Sequence, residues 1–230
     1  MAATGGLFAA NGPNSLIWWD WVGRHTQVIY TDFREHVILT FWAVFIGLLI
    51  SLPAGIAAHR WRVVQSSSLA LSGVIYTIPS LALFGILVPI TGLTRTTAEI
   101  GLVGYTLLIL IRNVLAGLEG VPEEVRDAAR GMGFSSTRIL LRVELPLAVP
   151  AIVAGIRIAT VTTIGLVTVT ALIGQGGFGQ LIYDGLLRDF KTPLVLGAGL
   201  SVILAAVIDV ALVGTERLIT PWARTRKRAV

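Results

Sequence analysis

The groups that catalyse reactions in proteins are sparse in this sequence. Its three histidines, His25, His36 and His59, lie in different regions, and no two of them share the ligand spacing of a metal site on one helix. The chain has no cysteine, which removes thiolate ligands and disulfides. No Ser/His/Asp grouping and no carboxylate pair can be assigned. The sequence therefore predicts no catalytic residue, no metal site and no cofactor bound by this chain.

A glycine-rich stretch, Gly174 to Gly179, contains the pattern GxGGxG. A phosphate-binding loop of that kind follows a strand, opens a helix and faces the cytoplasm, and none of these is expected here. The residues from there to Leu187 predict instead a tight turn and a short helix. Such a segment would form a gate or merely a compact loop.

Two charged residues, Arg157 and Asp209, lie inside long apolar stretches. At ~1.5 Å of rise per residue, each lies roughly 13–15 Å inside its stretch. Charged groups at that depth normally face the interior of a helix bundle and pair with each other. We therefore predict an intramembrane Arg157–Asp209 ion pair that fixes helix packing, with a role in substrate binding as the alternative.

A proline interrupts another apolar stretch, in the segment Tyr76-Thr77-Ile78-Pro79-Ser80. Pro79 frees a carbonyl and bends a helix. Kinked membrane helices are ordinary, but irregular backbone at depth is also tolerated where it lines a water-filled path. Tyr76, Pro79 and Ser80 are therefore candidates for a translocation path or gate.

The long charged segment between apolar stretches runs from Pro122 to Pro146, and we call it the elbow. Pro122 suits the first helical position, and Glu123 and Glu124 favour the positive end of the helix dipole. Gly133 is suited to the left-handed residue that ends a helix. The elbow is thus predicted to begin with a short, well-capped helix.

The faces of that helix follow from its spacing. The sequence predicts an apolar side and a charged side, formed respectively by Val125, Ala128, Ala129 and Met132, and by Arg126, Asp127 and Arg130. Ser135 or Ser136 is expected to cap a second short helix. Pro146 is expected to end that second helix where the next apolar stretch begins.

Composition places most of the chain in lipid. Of 230 residues, 54% are hydrophobic and 13% are charged, against about 25% charged in an ordinary soluble domain. The net charge of +5 does not indicate nucleic-acid binding, because the basic residues lie in loops beside apolar stretches. The chain is predicted to be a multi-pass protein of the cell membrane.

Five transmembrane helices are predicted, at about residues 36–58, 67–90, 98–118, 147–173 and 193–218. Each has roughly the 20 apolar residues needed to cross a bilayer core. Of the 18 Lys and Arg residues, twelve fall on one side of this arrangement and five on the other, with Arg157 inside a span. The positive-inside rule then places the N-terminus outside and the elbow and C-terminus in the cytoplasm.

The N-terminal region has a different pattern. Residues 16–30 are predicted to form an amphipathic helix on the membrane surface, with Trp18, Trp19 and Trp21 in the interface. The predicted organisation is a disordered start and this helix (1–35), a transmembrane domain (36–220) and a basic cytoplasmic tail (221–230). The fold class is all-α integral membrane protein.

The elbow resembles the EAA loop of ATP-binding-cassette importer permeases. That loop consists of EAA, three residues, Gly, nine residues and I-x-L-P, and this chain has Asp127-Ala128-Ala129, Gly133 and Val143-Glu144-Leu145-Pro146 at the same spacing. Asp127 replaces Glu and Val143 replaces Ile, which keeps charge and bulk. In that family the first short helix docks into a groove on the ATPase subunit. The resemblance implies a coupling role for Asp127, Ala128, Ala129, Gly131, Gly133, Leu145 and Pro146.

The resemblance extends over about residues 36–220 to the osmoprotectant branch of those permeases, through YTIPSLALFGILVPITG, LLILIRNVLAGLEGV, LPLAVPAIVAGIRIA and ALIGQGGFGQLI. It implies a type I importer permease for glycine betaine, choline, carnitine or proline. Loose candidates for lining its path are Tyr76, Phe84, Tyr105 and Phe178.

Several partners are implied by the resemblance. They are ATPase subunits that hold ATP and Mg, a second permease chain of the same or a related kind, and a separate extracytoplasmic substrate-binding protein. Two alternatives remain from the sequence: a permease for another small solute such as an amino acid, or a non-transporting membrane scaffold or passive channel. A channel would need neither the elbow nor an ATPase.

Overall fold

A computed structural model describes Gly12 and residues 15–221 of the chain. The predicted disordered start and nearly all of the predicted basic tail lie outside the described residues. Within the described part every regular element is helical, in the order α1 Trp19–Arg24, α2 Thr26–Arg60, α3 Arg62–Thr77, α4 Ser80–Thr91, α5 Arg95–Glu119, α6 Glu123–Gly131, α7 Ser136–Ile139, a π-helix Leu140–Glu144, α8 Leu145–Val169, a 3₁₀ turn Thr170–Ile173, α9 Phe178–Leu187 and α10 Lys191–Ile219.

Among the described residues, four helical segments are long and apolar enough to cross a bilayer: Thr26–Arg60, Arg95–Glu119, Ser136–Ile173 and Lys191–Ile219. The pair α3 and α4 makes a fifth if the two are counted as one bent span. The all-helical prediction is therefore confirmed. The predicted five spans correspond to these four and the bent pair.

The second predicted span is broken rather than kinked. α3 ends at Thr77, Ile78 and Pro79 have extended backbone, and α4 starts at Ser80. The two helices are bent by 97°. A proline both removes an N–H and restricts the residue before it to extended conformations, which explains a break two residues long.

The N-terminal boundary differs from the prediction. The separate helix covers only Trp19–Arg24, and α2 starts at Thr26 rather than near residue 36. His25 ends the first helix, and its carbonyl accepts the N–H of Ile29 as the next helix begins. No Gly or Pro lies between Thr26 and Gly47, so the first span continues back to His25 without interruption.

The tryptophans near the N-terminus are not all placed on a membrane surface. The backbone N–H of Trp18 donates to Thr192 Oγ1 at 2.9 Å, and the Trp18 and Trp21 rings lie 6.4 and 5.5 Å from the Phe190 ring. Trp19, by contrast, is exposed. The predicted amphipathic face is thus packed on the start of α10, and only Trp19 keeps the geometry of an interfacial anchor.

The chain divides into two compact units of discontinuous segments. The first consists of Met1–Ala43, Pro79–Leu102 and Val161–Val207. Its core contains Phe84, whose ring leaves no room for a side chain at Gly101, and Phe178, which packs against Phe33 and His36. Both phenylalanines are fully buried, which removes them from the candidates for lining an open path.

The glycine-rich loop belongs to this first unit and has the predicted turn and helix. Gly174 and Gly177 have positive φ, and α9 follows directly. A Cβ at Gly177 would lie 2.6 Å from the Asp32 carbonyl oxygen and 2.7 Å from the His36 nitrogen, so the loop packs backbone against backbone on α2. The short helix predicted after the loop is therefore confirmed, and the loop is preceded by a helix rather than by the strand that a phosphate-binding loop would follow.

The second unit consists of Val44–Ile78, Val103–Thr160 and Ile208–Val230. Its core is the buried cluster Val114, Leu118 and Ala148. Gly117 makes this packing close, because a Cβ there would lie 2.9 Å from the Ala148 carbonyl oxygen. Small residues at helix contacts are typical of membrane bundles. The elbow lies entirely in this unit.

Candidate functional site

The elbow begins with the predicted short helix, α6. Pro122 precedes it, and Glu123 and Glu124 lie in its first turn. The helix ends in a Schellman arrangement, in which the Gly133 N–H donates to the Arg130 carbonyl at 2.9 Å and the Phe134 N–H donates to the Ala129 carbonyl at 3.1 Å. Gly133 has φ +78°, the left-handed value that its position requires. The predicted stop is confirmed at this residue.

The apolar side of α6 is turned away from the rest of its unit. Met132 is 67% exposed and Val125 38%, and Ala128 is also exposed. Only Ala129 is buried. The residues 125, 128 and 132 share one side of a helix. The structure therefore presents an exposed apolar patch, Val125–Ala128–Met132, on a short solvated helix.

The spacing predicted that Arg126 lies on the exposed, charged side of α6. The structure places its side chain elsewhere. Its side chain is 14% exposed, and its guanidinium donates to three oxygens: Glu144 Oε1 at 2.7 Å, Glu123 Oε2 at 2.9 Å and the Leu118 carbonyl at 2.7 Å. Glu144 is buried as well. The helical pattern could not show this, because Glu144 is 18 residues along the chain from Arg126.

Arg130 forms exposed ion pairs with two carboxylates of α6, Glu123 and Asp127. Arg130 Nη1 lies 2.7 Å from Glu123 Oε1 and 2.6 Å from Asp127 Oδ1. Hydrogen bonds from Arg126 and then Arg130 hold the pKa of the Glu123 carboxyl below its usual range. Hydrogen bonds to Glu123 and Asp127 raise the pKa of Arg130. Exposed pairs of this kind contribute little to stability and weaken with salt.

The second helix of the elbow departs from the prediction at its end. Ser135 caps it, with Oγ accepting the Arg138 N–H at 3.4 Å. Pro146 does not end it, because helical backbone continues from Ser136 through the π-helix Leu140–Glu144 into α8. A proline lacks an N–H and crowds the carbonyl four residues earlier. The wider π turn directly before Pro146 accommodates both defects.

A cavity of about 550 Å³ opens beside the elbow within the same unit. It is lined by His59 and Arg60 at the end of α2, by Trp61 directly after it, and by Arg126 and Glu144. His59 Nε2 lies 3.8 Å from Glu144 Oε1. Glu144 therefore stands between α6 and the end of the first span.

Around the broken span, Tyr105 holds the backbone where Pro79 interrupts it. The Tyr105 hydroxyl donates to the Ile78 carbonyl, which the break leaves without its helical partner. The Tyr76 and Tyr105 rings lie 5.8 Å apart, edge to face. Tyr76 is 40% exposed, Pro79 is exposed and Ser80 is half-buried. Of the loose candidates for lining a path, Tyr76 has an exposed side chain, whereas Tyr105 is buried and hydrogen-bonds to the backbone at the break.

The structure brings Arg157 and Asp209 together. Arg157 Nε and Nη2 donate to Asp209 Oδ1 and Oδ2 at 3.0 and 3.2 Å, which is a fork-to-fork contact. Glu216 joins the pair, 3.4 Å from Arg157 Nη1. Sequence reasoning missed Glu216, although its position seven residues after Asp209 places both on one side of α10. The roles of these residues stay predictions.

Possible metal ligands do not converge. Among the described residues, no group of three or more His, Cys, Asp or Glu side chains could hold a metal ion. His25 stacks on Trp21, and His36 Nε2 lies 3.0 Å from the Ile164 carbonyl. Each of these histidines has an ordinary structural contact.

Apolar helices long enough to cross a bilayer, with an amphipathic elbow between two of them, define a multi-pass membrane protein. The chain belongs to the family of binding-protein-dependent transport system inner membrane components, which it matches over residues 26–219. The protein is therefore a membrane permease subunit rather than an enzyme.

Similar proteins agree with that assignment. The chain is 34% identical to the glycine betaine/carnitine/choline transport system permease protein OpuCB of Bacillus subtilis, over 81% of this chain and 86% of that protein. It is also 34% identical to the choline transport system permease protein OpuBB of the same organism, over 87% and 92%. Its fold is similar to that of the inward-facing MetNI methionine ABC transporter, with a TM-score of 0.77, 24% identity and coverage of 86% and 98%.

Proposed function

We propose that this chain is the permease subunit of an ATP-driven importer for a small osmoprotectant: glycine betaine, choline, carnitine or proline. Relatives that carry glycine betaine, carnitine or choline in their names are about one-third identical over more than four fifths of the chain. The solute crosses between two permease chains, of the same or of a related kind. A separate binding protein delivers it from outside.

The exposed Val125–Ala128–Met132 patch is the observation that carries the link to an ATPase. An apolar patch on a short charged helix is costly in water and suited to a groove on another protein. ATP and Mg are held by that partner. Asp127, Ala128, Ala129 and Gly131 belong to the docking helix, Gly133 is its stop, and Leu145 and Pro146 join it to α8.

Orientation follows from the charge distribution. The N-terminus lies outside, and the elbow and the C-terminus lie in the cytoplasm, because the loops on the elbow's side carry most of the Lys and Arg residues. This orientation places the elbow on the side where ATP is available. Tyr76, Pro79 and Ser80 then lie at the break of the second span, beside the path of the solute.

Alternating access accounts for the energy transfer. ATP favours a closed arrangement of two ATPase subunits, and the closed arrangement favours one conformation of the permease through its contact with α6. Hydrolysis then restores the inward-facing conformation. The Arg157–Asp209 pair keeps α8 and α10 together during the transition.

The experiment is reconstitution in liposomes of the permease with its ATPase and binding protein, followed by uptake of labelled glycine betaine and, in parallel, labelled methionine. We expect ATP-dependent uptake of the betaine, competed by choline or carnitine, and no uptake when the ATPase is omitted. Uptake of methionine alone would overturn the substrate class. Uptake of betaine without the ATPase would overturn the ATP-driven mechanism in favour of a channel.

A further inference from the structure

Arg126 is an elbow side chain whose contacts join three different segments of the second unit. Its guanidinium belongs to α6, and its donors reach the Leu118 carbonyl in the last turn of α5 and the Glu144 carboxylate in the π-helix that leads into α8. Both contacts are 2.7 Å long. The third donor returns to Glu123 on α6 itself.

The covalent connections between α6 and these spans each contain a glycine, although hydrogen bonds close the turn at Gly133. The segment between α5 and α6 contains Gly120, and the segment between α6 and α7 contains Gly133 at positive φ. Neither glycine stiffens the backbone. A movement of α6 would therefore be partly absorbed by these connections if the backbone alone transmitted it.

The guanidinium, in contrast, is a rigid planar fork that fixes its partners in one geometry. Burial lowers the pKa of Arg126, but hydrogen bonds to Glu123 and Glu144 outweigh that effect and raise it overall. The Arg126 and Glu144 side chains are 14% and 11% exposed, so salt screens their attraction little. Glu144 also faces His59 at the end of α2, at 3.8 Å.

We propose that Arg126 is a positioning residue for energy coupling, a side-chain strut that transmits displacement of α6 to α5 and α8. The proposal rests on the proposed function, since it assumes that an ATPase moves α6. It assigns a mechanical role to Arg126 and Glu144. Neither residue belongs to the exposed apolar patch Val125–Ala128–Met132.

The strut requires a guanidinium at residue 126 and a carboxylate at residue 144. Arg126→Lys keeps the charge, but an ammonium is a point donor that cannot reach Glu144 and Leu118 together with fixed angles. Glu144→Gln keeps the shape of the side chain but removes the charge that holds the fork. Both substitutions should therefore loosen the link between α6 and α8 while the exposed Val125–Ala128–Met132 patch stays intact.

The test measures labelled glycine betaine imported per ATP hydrolysed, in proteoliposomes holding the permease, its ATPase and the binding protein. We expect R126K and E144Q to co-purify with the ATPase and to hydrolyse ATP, but to import about tenfold less solute per ATP, within the usual range of coupling effects. Arg138→Lys is the matched control, because Arg138 is exposed on α7 and stacks over Phe134; we expect its ratio to equal that of the wild type.

Three results would overturn the strut. Unchanged import per ATP in both variants would show that the backbone transmits the movement. Loss of the ATPase from both complexes would make Arg126 and Glu144 docking residues, and an equal loss in R138K would make the effect unspecific. If E144Q fails to assemble, R126K decides, because it keeps a cation beside Glu144. Failure of the wild type to import the betaine would count against the proposed function instead. The strut would then be tested by the same ratio, solute imported per ATP hydrolysed, measured with a solute that the wild type does import.

Discussion

Replacing Gly133 by valine tests the elbow at its most demanding backbone position. Gly133 has φ +78°, and nothing lies within 4 Å of the place where a Cβ would be. The substitution therefore meets no clash, and its cost comes from the left-handed backbone alone, about 1–2 kcal/mol. For a β-branched residue we expect the upper end of that range.

The consequence for α6 follows from a hydrogen bond that depends on this conformation. The φ and ψ of residue 133 place the N–H of residue 134, which no longer reaches the Ala129 carbonyl if residue 133 leaves the left-handed region. That bond contributes about 1 kcal/mol. A strain of about 2 kcal/mol in the valine variant exceeds it and lowers the population of the native stop roughly 30-fold relative to alternatives. The helix would then point in other directions.

The assay is ATP-dependent import of labelled solute beside the amount of permease in the membrane. We expect Gly133→Val to reach the membrane, because the five spans and their core are untouched. We expect it to lose most of its import, because α6 no longer has a fixed direction. Gly133→Asn should keep most of it, since Asn tolerates the left-handed region. Gly131→Ala is the matched control: that site is equally open but lies within α6, where alanine is favoured by about 1 kcal/mol. Normal import by Gly133→Val would refute the reasoning.

Three further changes address other parts of the site. Met132→Asp should release the ATPase during purification, because a charge replaces apolar surface that would contribute on the order of 1.5–3 kcal/mol on burial. Neutralising Arg157 or Asp209 singly should lower the free energy of unfolding, measured by thermal unfolding in detergent. We expect a loss of about 1–3 kcal/mol, which is between the effects of breaking an exposed and a buried ion pair. Tyr105→Phe should destabilise the chain by about 1–3 kcal/mol in the same assay, because the Ile78 carbonyl loses its donor.

Each of these changes has a control. Met132→Leu keeps the apolar surface and should keep the ATPase bound. The exchange Arg157→Asp with Asp209→Arg should recover part of the stability, and harmless single changes would show that the pair contributes little. Tyr76→Phe keeps its ring contact with Tyr105 and should leave stability unchanged. An equal loss in Tyr76→Phe would contradict the role assigned to the Tyr105 hydroxyl.

Much of the fold was predictable because its rules are local. Apolar stretches of about 20 residues define membrane spans whatever their neighbours are. The elbow helix carries its start and stop signals, Pro122 and Gly133, within its own sequence. The helix begins at Glu123, one residue after the predicted Pro122, and the left-handed stop is found at Gly133. Ser135 caps the next helix for the same reason.

The predictions that failed depend on distant parts of the chain. Spacing placed Arg126 on the solvated side, but an arginine can turn its long side chain towards a buried carboxylate that helical periodicity does not locate. Pro146 predicted an end to the second elbow helix, and the π turn before it allowed the helix to continue. The pattern around Trp18 and Trp21 predicted a helix on the membrane surface, but in the structure both rings pack against Phe190, which is far away in the sequence.

The sequence by itself determined the class of this protein: its membrane spans, its capped elbow and the spacing by which the elbow resembles those of importer permeases. Only the tertiary structure decided which side of the elbow is exposed, that Arg126 joins α5 to α8 through Glu144, and that Tyr105 holds the break at Ile78. The physical reason is range. Helix starts, stops and hydrophobic lengths are set by residues within a few positions of each other, whereas a side chain's hydrogen-bond partner is set by packing between helices far apart in the chain.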